Sequence, residues 1–197
     1  MRYFAILPKV LNTTPTGVTT LLTNIKTKVN VINSVFNEPL LFYKYDVKDS
    51  DTPEIIAHKY YGDSYYYWVV LLFNKMQHPI WSWPLASNVF EDFVRNKYGE
   101  SGLNDINYYE EIQTKTNLYS GDVTIDRIKL NEDDYNSLVE SNITYTLPSG
   151  DLNIVTTKRQ VTNYEYEYEL NESKRQINLL NSQYLPAVEL EFKNLYK

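Results

Sequence analysis

Residues 43–74 read YKYDVKDSDTPEIIAHKYYGDSYYYWVVLLFN, and this stretch decides the fold. Tyr43, Tyr45 and Val47 alternate with Lys44, Asp46 and Lys48, the period of a strand with one buried face. Asp49-Ser50-Asp51 ends that alternation. Thr52 is placed to cap a helix with its hydroxyl, and Pro53 suits the first helical position, where a missing N–H costs nothing. The helix should run from Pro53 to Tyr61, with Ile56, Ala57 and Tyr60 toward the core, and Gly62 supplies the left-handed residue that ends it. Ser64 is placed to cap a second helix. There Trp68, Leu71 and Leu72 stand at i, i+3 and i+4, and Val69, Val70 and Phe73 make it apolar nearly all round, so it must be buried. Asn74 closes it.

Beyond this core, IWSWPL at 80–85 reads as a proline-bounded extended segment carrying Trp81 and Trp83. Ser87 should cap a third helix, with Val89, Phe90, Phe93 and Val94 on one stripe and Gly99 after it. After residue 100 the pattern predicts strands over 107–112 and 123–130 and a helix opening at Asn131, whose acids Glu132, Asp133 and Asp134 favour its positive end. Thr162, Tyr164, Tyr166, Tyr168 and Leu170 alternate with Asn163, Glu165, Glu167 and Glu169, which predicts a strand with a tyrosine face and a glutamate face. Such a strand needs a cover, and a partner subunit is the expected one. On that reading, removing residues 160–197 should leave the core folded. A terminal helix starts at Pro186, with Leu185, Val188, Phe192 and Leu195 on one side and Lys193 and Lys197 at its negative end. Toward the N-terminus, residues 18–36 (VTTLLTNIKTKVNVINSVF) fit strand composition and helical spacing equally, and periodicity leaves both open.

Together these elements predict an α+β chain: an N-terminal arm over 1–42, a βαα core with its following helix over 43–99, and a C-terminal α+β interaction region over 100–197. The composition carries 19 Tyr against 6 Gly. Tyrosine joins a large ring to a polar tip, which suits half-buried contact surfaces, so the excess favours protein–protein binding. A net charge of −6 and a pI near 5.0 disfavour nucleic acid, which demands a clustered basic face; the pairs Lys158-Arg159 and Lys174-Arg175 are too short to supply one. With no cysteine the chain has no disulfide framework, thiolate nucleophile or zinc–thiolate site, and a reducing cytosol is the expected folding compartment. The N-terminus lacks the features of a signal peptide, and the strongest apolar run, Tyr65 to Phe73, is far shorter than the ~20 residues that span a bilayer.

Enzyme constellations do not emerge. G-x-S-x-G, G-x-x-x-x-G-K-[ST] and H-E-x-x-H are all missing from the sequence. Glu54 and His58 share a helix face but are only two ligands, and Asp49-Ser50-Asp51 lacks the glycine turn of a calcium loop. The acidic clusters Glu91-Asp92 and Glu132–Asp134 sit where helix starts and solvated faces place acids. We expect no catalytic residue, cofactor or metal.

YKYDV, the turn and helix DSDTPEIIAHKYYG and the helix YYYWVVLLFN resemble the LysM motif, with Tyr45, Val47, Thr52, Pro53, Ile56, Ala57, Tyr60, Gly62, Trp68, Leu71, Leu72 and Asn74 as its core positions. A longer resemblance is to the LysM-like baseplate wedge protein of T4-like contractile-tailed bacteriophages. It rests on RYF at 2–4, HKYYGDSYYYWVVLLFNKM at 58–76, WPL at 83–85, KYG at 97–99 and LNESKRQINLLNSQYL at 170–185. The resemblance implies a structural virion protein of the tail baseplate, assembled in the host cytoplasm, that joins other wedge proteins and links neighbouring wedges around the hub. Trp81, Trp83, Tyr164, Tyr166, Tyr168, Leu170, Val188 and Phe192 are the expected partner contacts. LysM domains bind N-acetylglucosamine glycans between two loops, here 49–53 and 74–80. Beyond Asn74, however, MQHPIWSWPL replaces the usual glycine turn and second strand, so glycan binding is not the expected function, although a peptidoglycan-binding module is the alternative reading.

Overall fold

A computed structural model describes every residue except 1, 28, 32, 79, 80, 149, 196 and 197. In chain order the elements are β1 (Lys9–Thr13), β2 (Thr19–Thr23), β3 (Phe42–Asp46), α1 (Pro53–Tyr61), α2 (Tyr67–Phe73), α3 (Ser87–Gly102), β4 (Ile106–Asn117), β5 (Val123–Leu130), α4 (Glu132–Ser137), β6 (Ser141–Tyr145), β7 (Leu152–Thr162), α5 (Asn163–Ser173), β8 (Gln176–Leu180) and α6 (Leu185–Asn194). The mixture is α+β, as the patterning predicts. The grouping differs from a division at 42 and 99. One compact unit combines Met1–Ser87 with Asn171–Lys197, and the other is Asn88–Leu170.

In the first unit β3 pairs antiparallel with β8, Tyr45 opposite Ile177, so the order is strand, helix, helix, strand. The second strand missing after Asn74 is supplied from beyond the second unit in sequence. Helix α1 starts and ends where its caps dictate: the Thr52 hydroxyl accepts from the Ile55 N–H, and Gly62 takes φ 80°. The entry to the next helix is capped by Asp63 rather than Ser64; its carboxylate accepts from the Tyr65 N–H and opens a 3-10 turn over Ser64–Tyr66. A carboxylate is the better acceptor there, and it stands one residue earlier than the hydroxyl. Helix α2 is apolar all round because it serves two clusters. Trp68, Val69 and Phe73 pack with Leu7, Leu180, Leu185 and Phe192, while Val70 packs with Val47, Ile56, Ala57, Trp83, Ile177 and Leu179.

That packing overturns the expectation that residues 160–197 can be removed without harm to the core. Ile177, Leu179, Leu180, Leu185 and Phe192 are the core. The second unit is an antiparallel sheet in the order β5-β4-β7-β6. Strands β4 and β5 and helix α4 stand where the pattern places them, β4 extending on to Asn117 and Asn131 capping α4 through Asp134 N–H. In α3, Phe90 and Val94 are buried but Val89 faces solvent, and the helix breaks at Gly99, φ 71°.

The predicted strand over 162–170 is a helix, α5. Its N-terminus decides this. The Thr162 hydroxyl accepts from the Glu165 N–H at 3.2 Å, while the Glu165 carboxylate accepts from the Thr162 N–H at 2.8 Å, a reciprocal capping box. Strong helix formers at Glu165, Glu167 and Glu169 then continue what the cap begins. Helical spacing stacks Tyr164 and Tyr168 against Phe90 and turns Tyr166 away toward Tyr108. The glutamates divide too: Glu167 is buried on Lys97 (2.6 Å) and Tyr98 (2.9 Å), and Glu169 meets Arg159 at 2.7 Å.

Candidate functional site

Among the residues read from the sequence as LysM-like core positions, Ile56, Ala57 and Trp68 are buried. Asp51 is buried, and its carboxylate accepts from the Tyr45 hydroxyl (2.7 Å), Lys59 (2.7 Å) and the Lys48 N–H (3.1 Å). Burial alone would push that carboxyl up, but these donors outweigh it and hold Asp51 below the ordinary aspartate range. The same hydrogen bond, with burial, raises the Tyr45 hydroxyl to about 12. Asp49 is held lower in turn by Ser87 and Arg175.

Asp51 in the loop 49–53 and Asn74 at the start of the loop 74–80 are tied into the first unit by hydrogen bonds. Trp83, only 7% exposed, donates its indole N–H to the Asp51 carbonyl at 2.9 Å. Asn171 fixes the next turn by clasping both the N–H and the carbonyl of Leu85. At the other loop, the Asn74 amide donates to the carbonyls of Val70 and Asn178 and accepts from the Asn178 N–H, each at 2.8 Å. Asn74 thus staples the end of α2 to β8. It closes the fold.

The expected partner contacts divide into three groups. Trp83 and Phe192 are interior, the latter 4.9 Å from the Trp68 ring between ring centroids, because a helix that buries α2 must bring its largest apolar residue inward. Val188 packs at the margin of the same cluster and Tyr166 is half-buried. Trp81, Tyr164, Tyr168 and Leu170 are exposed. Trp81 is in the first unit and the other three are in the second, so this set forms no single patch within either unit.

An exposed apolar surface of the first unit includes part of the segment 18–36 that periodicity left open. Strands β1 and β2 form a two-stranded hairpin, Val10 opposite Leu22 and Leu11 opposite Leu21. Adjacent residues of a strand point to opposite faces, so each face carries an apolar pair. All four side chains are exposed, Leu11 to 74% and Leu21 to 63%. Among the described residues neither outer edge has a strand beside it. Up to residue 37 the sequence has four cations, Arg2, Lys9, Lys26 and Lys28, and no carboxylate. The readable signal was Pro15 and Gly17 between two Thr-rich β-branched runs, with Gly17 at φ 81° in the turn.

Among the described residues no group of three or more His, Cys, Asp or Glu is placed to hold a metal ion, and no helix is long and apolar enough to cross a membrane. The basic pairs serve internal bonds: Lys158 donates to the carbonyls of Tyr135 and Leu138, Arg159 meets Glu110 and Glu169, and Arg175 meets Asp49 and Glu172. Comparison with curated proteins gives no match. Residues 4–189 match the profile of the family described as Base plate wedge protein 53. The chain belongs to that family, and its role is that of a structural protein of the phage tail baseplate.

Proposed function

We propose that this member of the wedge protein family is an adaptor that binds other wedge proteins and links neighbouring wedges around the hub, assembling in the host cytoplasm. The observation that carries the reading is the β1–β2 hairpin. A two-stranded hairpin is at best marginal in water on its own, and one with apolar pairs on both faces and two open edges has the properties of a segment completed by a partner. The sequence up to residue 37, which contains the hairpin, carries cations and no carboxylate, and this favours an acidic partner surface. The strand–helix–helix–strand order and the Asn74 staple support a LysM-like body, closed by a strand that returns after a long insertion. Trp83 braces the 49–53 loop through the Asp51 carbonyl, which supports a body kept for rigidity rather than for a glycan.

The test is assembly. Wild-type chain and a Leu11→Asp/Leu21→Asp variant are expressed during infection with a phage lacking its own copy, and tail baseplates are isolated. The wild type is expected in baseplates and the variant outside them, with both proteins melting at the same temperature. A variant that enters baseplates normally removes the hairpin from the interface.

A further inference from the structure

A cleft of about 440 Å³ opens in the first unit, lined by Asn74, Lys75 and Met76 after α2, by Trp81 and Ser82, and by Ser173, Lys174 and Gln176 at the entry to β8. Three features of it converge. Trp81 is 66% exposed, in contrast to Trp68 and Trp83, which are buried. The lining has two lysines and no carboxylate, although the chain carries a net charge of −6. One ammonium, that of Lys75, stands 4.3 Å from the Phe36 ring centre, and that of Lys174 donates to the Trp81 carbonyl at 3.1 Å.

The third feature is backbone. Along a strand, successive residues turn their amides to opposite edges. In β8 the flanking bonds Val47 N–H to the Arg175 carbonyl and Asn181 N–H to the Leu41 carbonyl put odd-numbered residues toward β3. Even-numbered residues face the other edge, where Asn74 holds Asn178 and the Tyr61 hydroxyl donates to the Leu180 carbonyl. Gln176 belongs to the same series and is exposed in the cleft wall; no hydrogen bond among the described residues reaches its backbone on that edge.

Resting on the adaptor reading, we infer that this cleft takes an extended acidic segment of another wedge protein. Its main chain bonds the open edge at Gln176, an apolar side chain lies on the Trp81 ring, and its carboxylates meet Lys75 and Lys174. Strand addition supplies affinity through the main chain, and the aromatic anchor and the charge supply selectivity.

The full-length chain is titrated by calorimetry with a synthetic peptide of alternating glutamate and leucine, with its lysine–leucine counterpart, and with a chitin hexamer. Tryptophan fluorescence is followed in parallel, because Trp81 is the one of the three tryptophans open to solvent. The acidic peptide alone is expected to bind, below about 1 mM, and to change the emission. Trp81→Ala should weaken it by about tenfold and Lys174→Glu by about fivefold, with melting temperatures unchanged. No binding of the acidic peptide, equal binding of the lysine peptide, binding of chitin in its place, or indifference to both substitutions overturns the inference. Baseplate incorporation separates the two readings. A Trp81→Ala/Lys174→Glu variant that assembles normally ends the cleft proposal alone, whereas a wild-type chain that stays out of baseplates ends the adaptor reading whatever the peptide does.

Discussion

Helix α2 and the β1–β2 hairpin are both apolar, yet they stand at opposite extremes of burial. The helix presents Trp68, Val69, Val70 and Phe73 to two clusters and keeps almost nothing in water, whereas the hairpin leaves Leu11, Leu21 and Leu22 open. The difference follows from what each can reach. Four elements, β3, α1, β8 and α6, contribute side chains to the clusters around α2. Among the described residues the hairpin's strands pair only with each other. Apolarity within this chain therefore has two meanings, stability in one place and unfinished surface in the other, and substitutions should separate them.

The largest effect should come from Trp68→Ala. Trp68 is 4% exposed and lies between Phe192 and Tyr3, so truncation should cost about 3–5 kcal/mol and lower the yield of folded protein. Trp68→Phe sharpens the point. The indole N–H is buried without a hydrogen-bond partner among the described residues, so the phenyl ring removes a cost together with some packing, and its loss should be less than half that of alanine. Denaturant unfolding of both variants measures the difference; equal losses would mean that the N–H has found a partner or that the site does not pack as described.

Next comes the staple. Asn74→Ala deletes three hydrogen bonds, two of which join the end of α2 to β8, and leaves the Asn178 N–H and two carbonyls without them, for an expected loss of about 1–3 kcal/mol. Asp51 adds a pH signature. Its folded carboxyl lies below the unfolded value of about 3.9, so the stability it contributes is complete above that pH and is lost as pH falls through the folded value. Asp51→Asn should lower the melting temperature at neutral pH and flatten its decline below about pH 4. An acid limb of unchanged slope would assign the decline to other carboxylates.

Residues 43–74 were legible because their signals are local: Thr52, Pro53 and Gly62 mark both ends of α1 within nine residues of helix. Strand β8 was not, because its meaning depends on partners far along the chain; Asn74 and Asn178 are separated by 104 positions. No period in QINLL reveals that. The strand predicted over 162–170 failed because it rested on one periodicity. Alternating Tyr and Glu satisfies a strand, but Thr162 and Glu165 stand at capping-box spacing, and a closed cap outweighs an alternation with nothing to cover it. Thr162→Ala tests this at the next level of effect, with an expected loss of about 1 kcal/mol and faster amide exchange in the first turn of α5. Unaltered exchange would show that α5 is held by its side chains rather than by its cap.

The smallest stability effect should belong to the hairpin, and that is what makes it informative. Leu11→Ser exchanges one exposed side chain for another, and a surface change away from caps, strain or core normally stays within about 0.5 kcal/mol. Lost apolar contact with Leu21 across the pair can account for only part of that. If the residue serves the chain's own fold, assembly should track stability and stay normal. If it serves a partner, incorporation into baseplates should fall sharply while the melting curve stays in place, because the surface removed is paid for only in the complex. Pairing each substitution with its baseplate yield therefore places every apolar residue on one axis or the other. Trp68→Ala should lose both properties together, and Leu11→Ser should lose only the second; a Leu11→Ser protein that unfolds early would return the hairpin to the core and leave the adaptor reading without its surface.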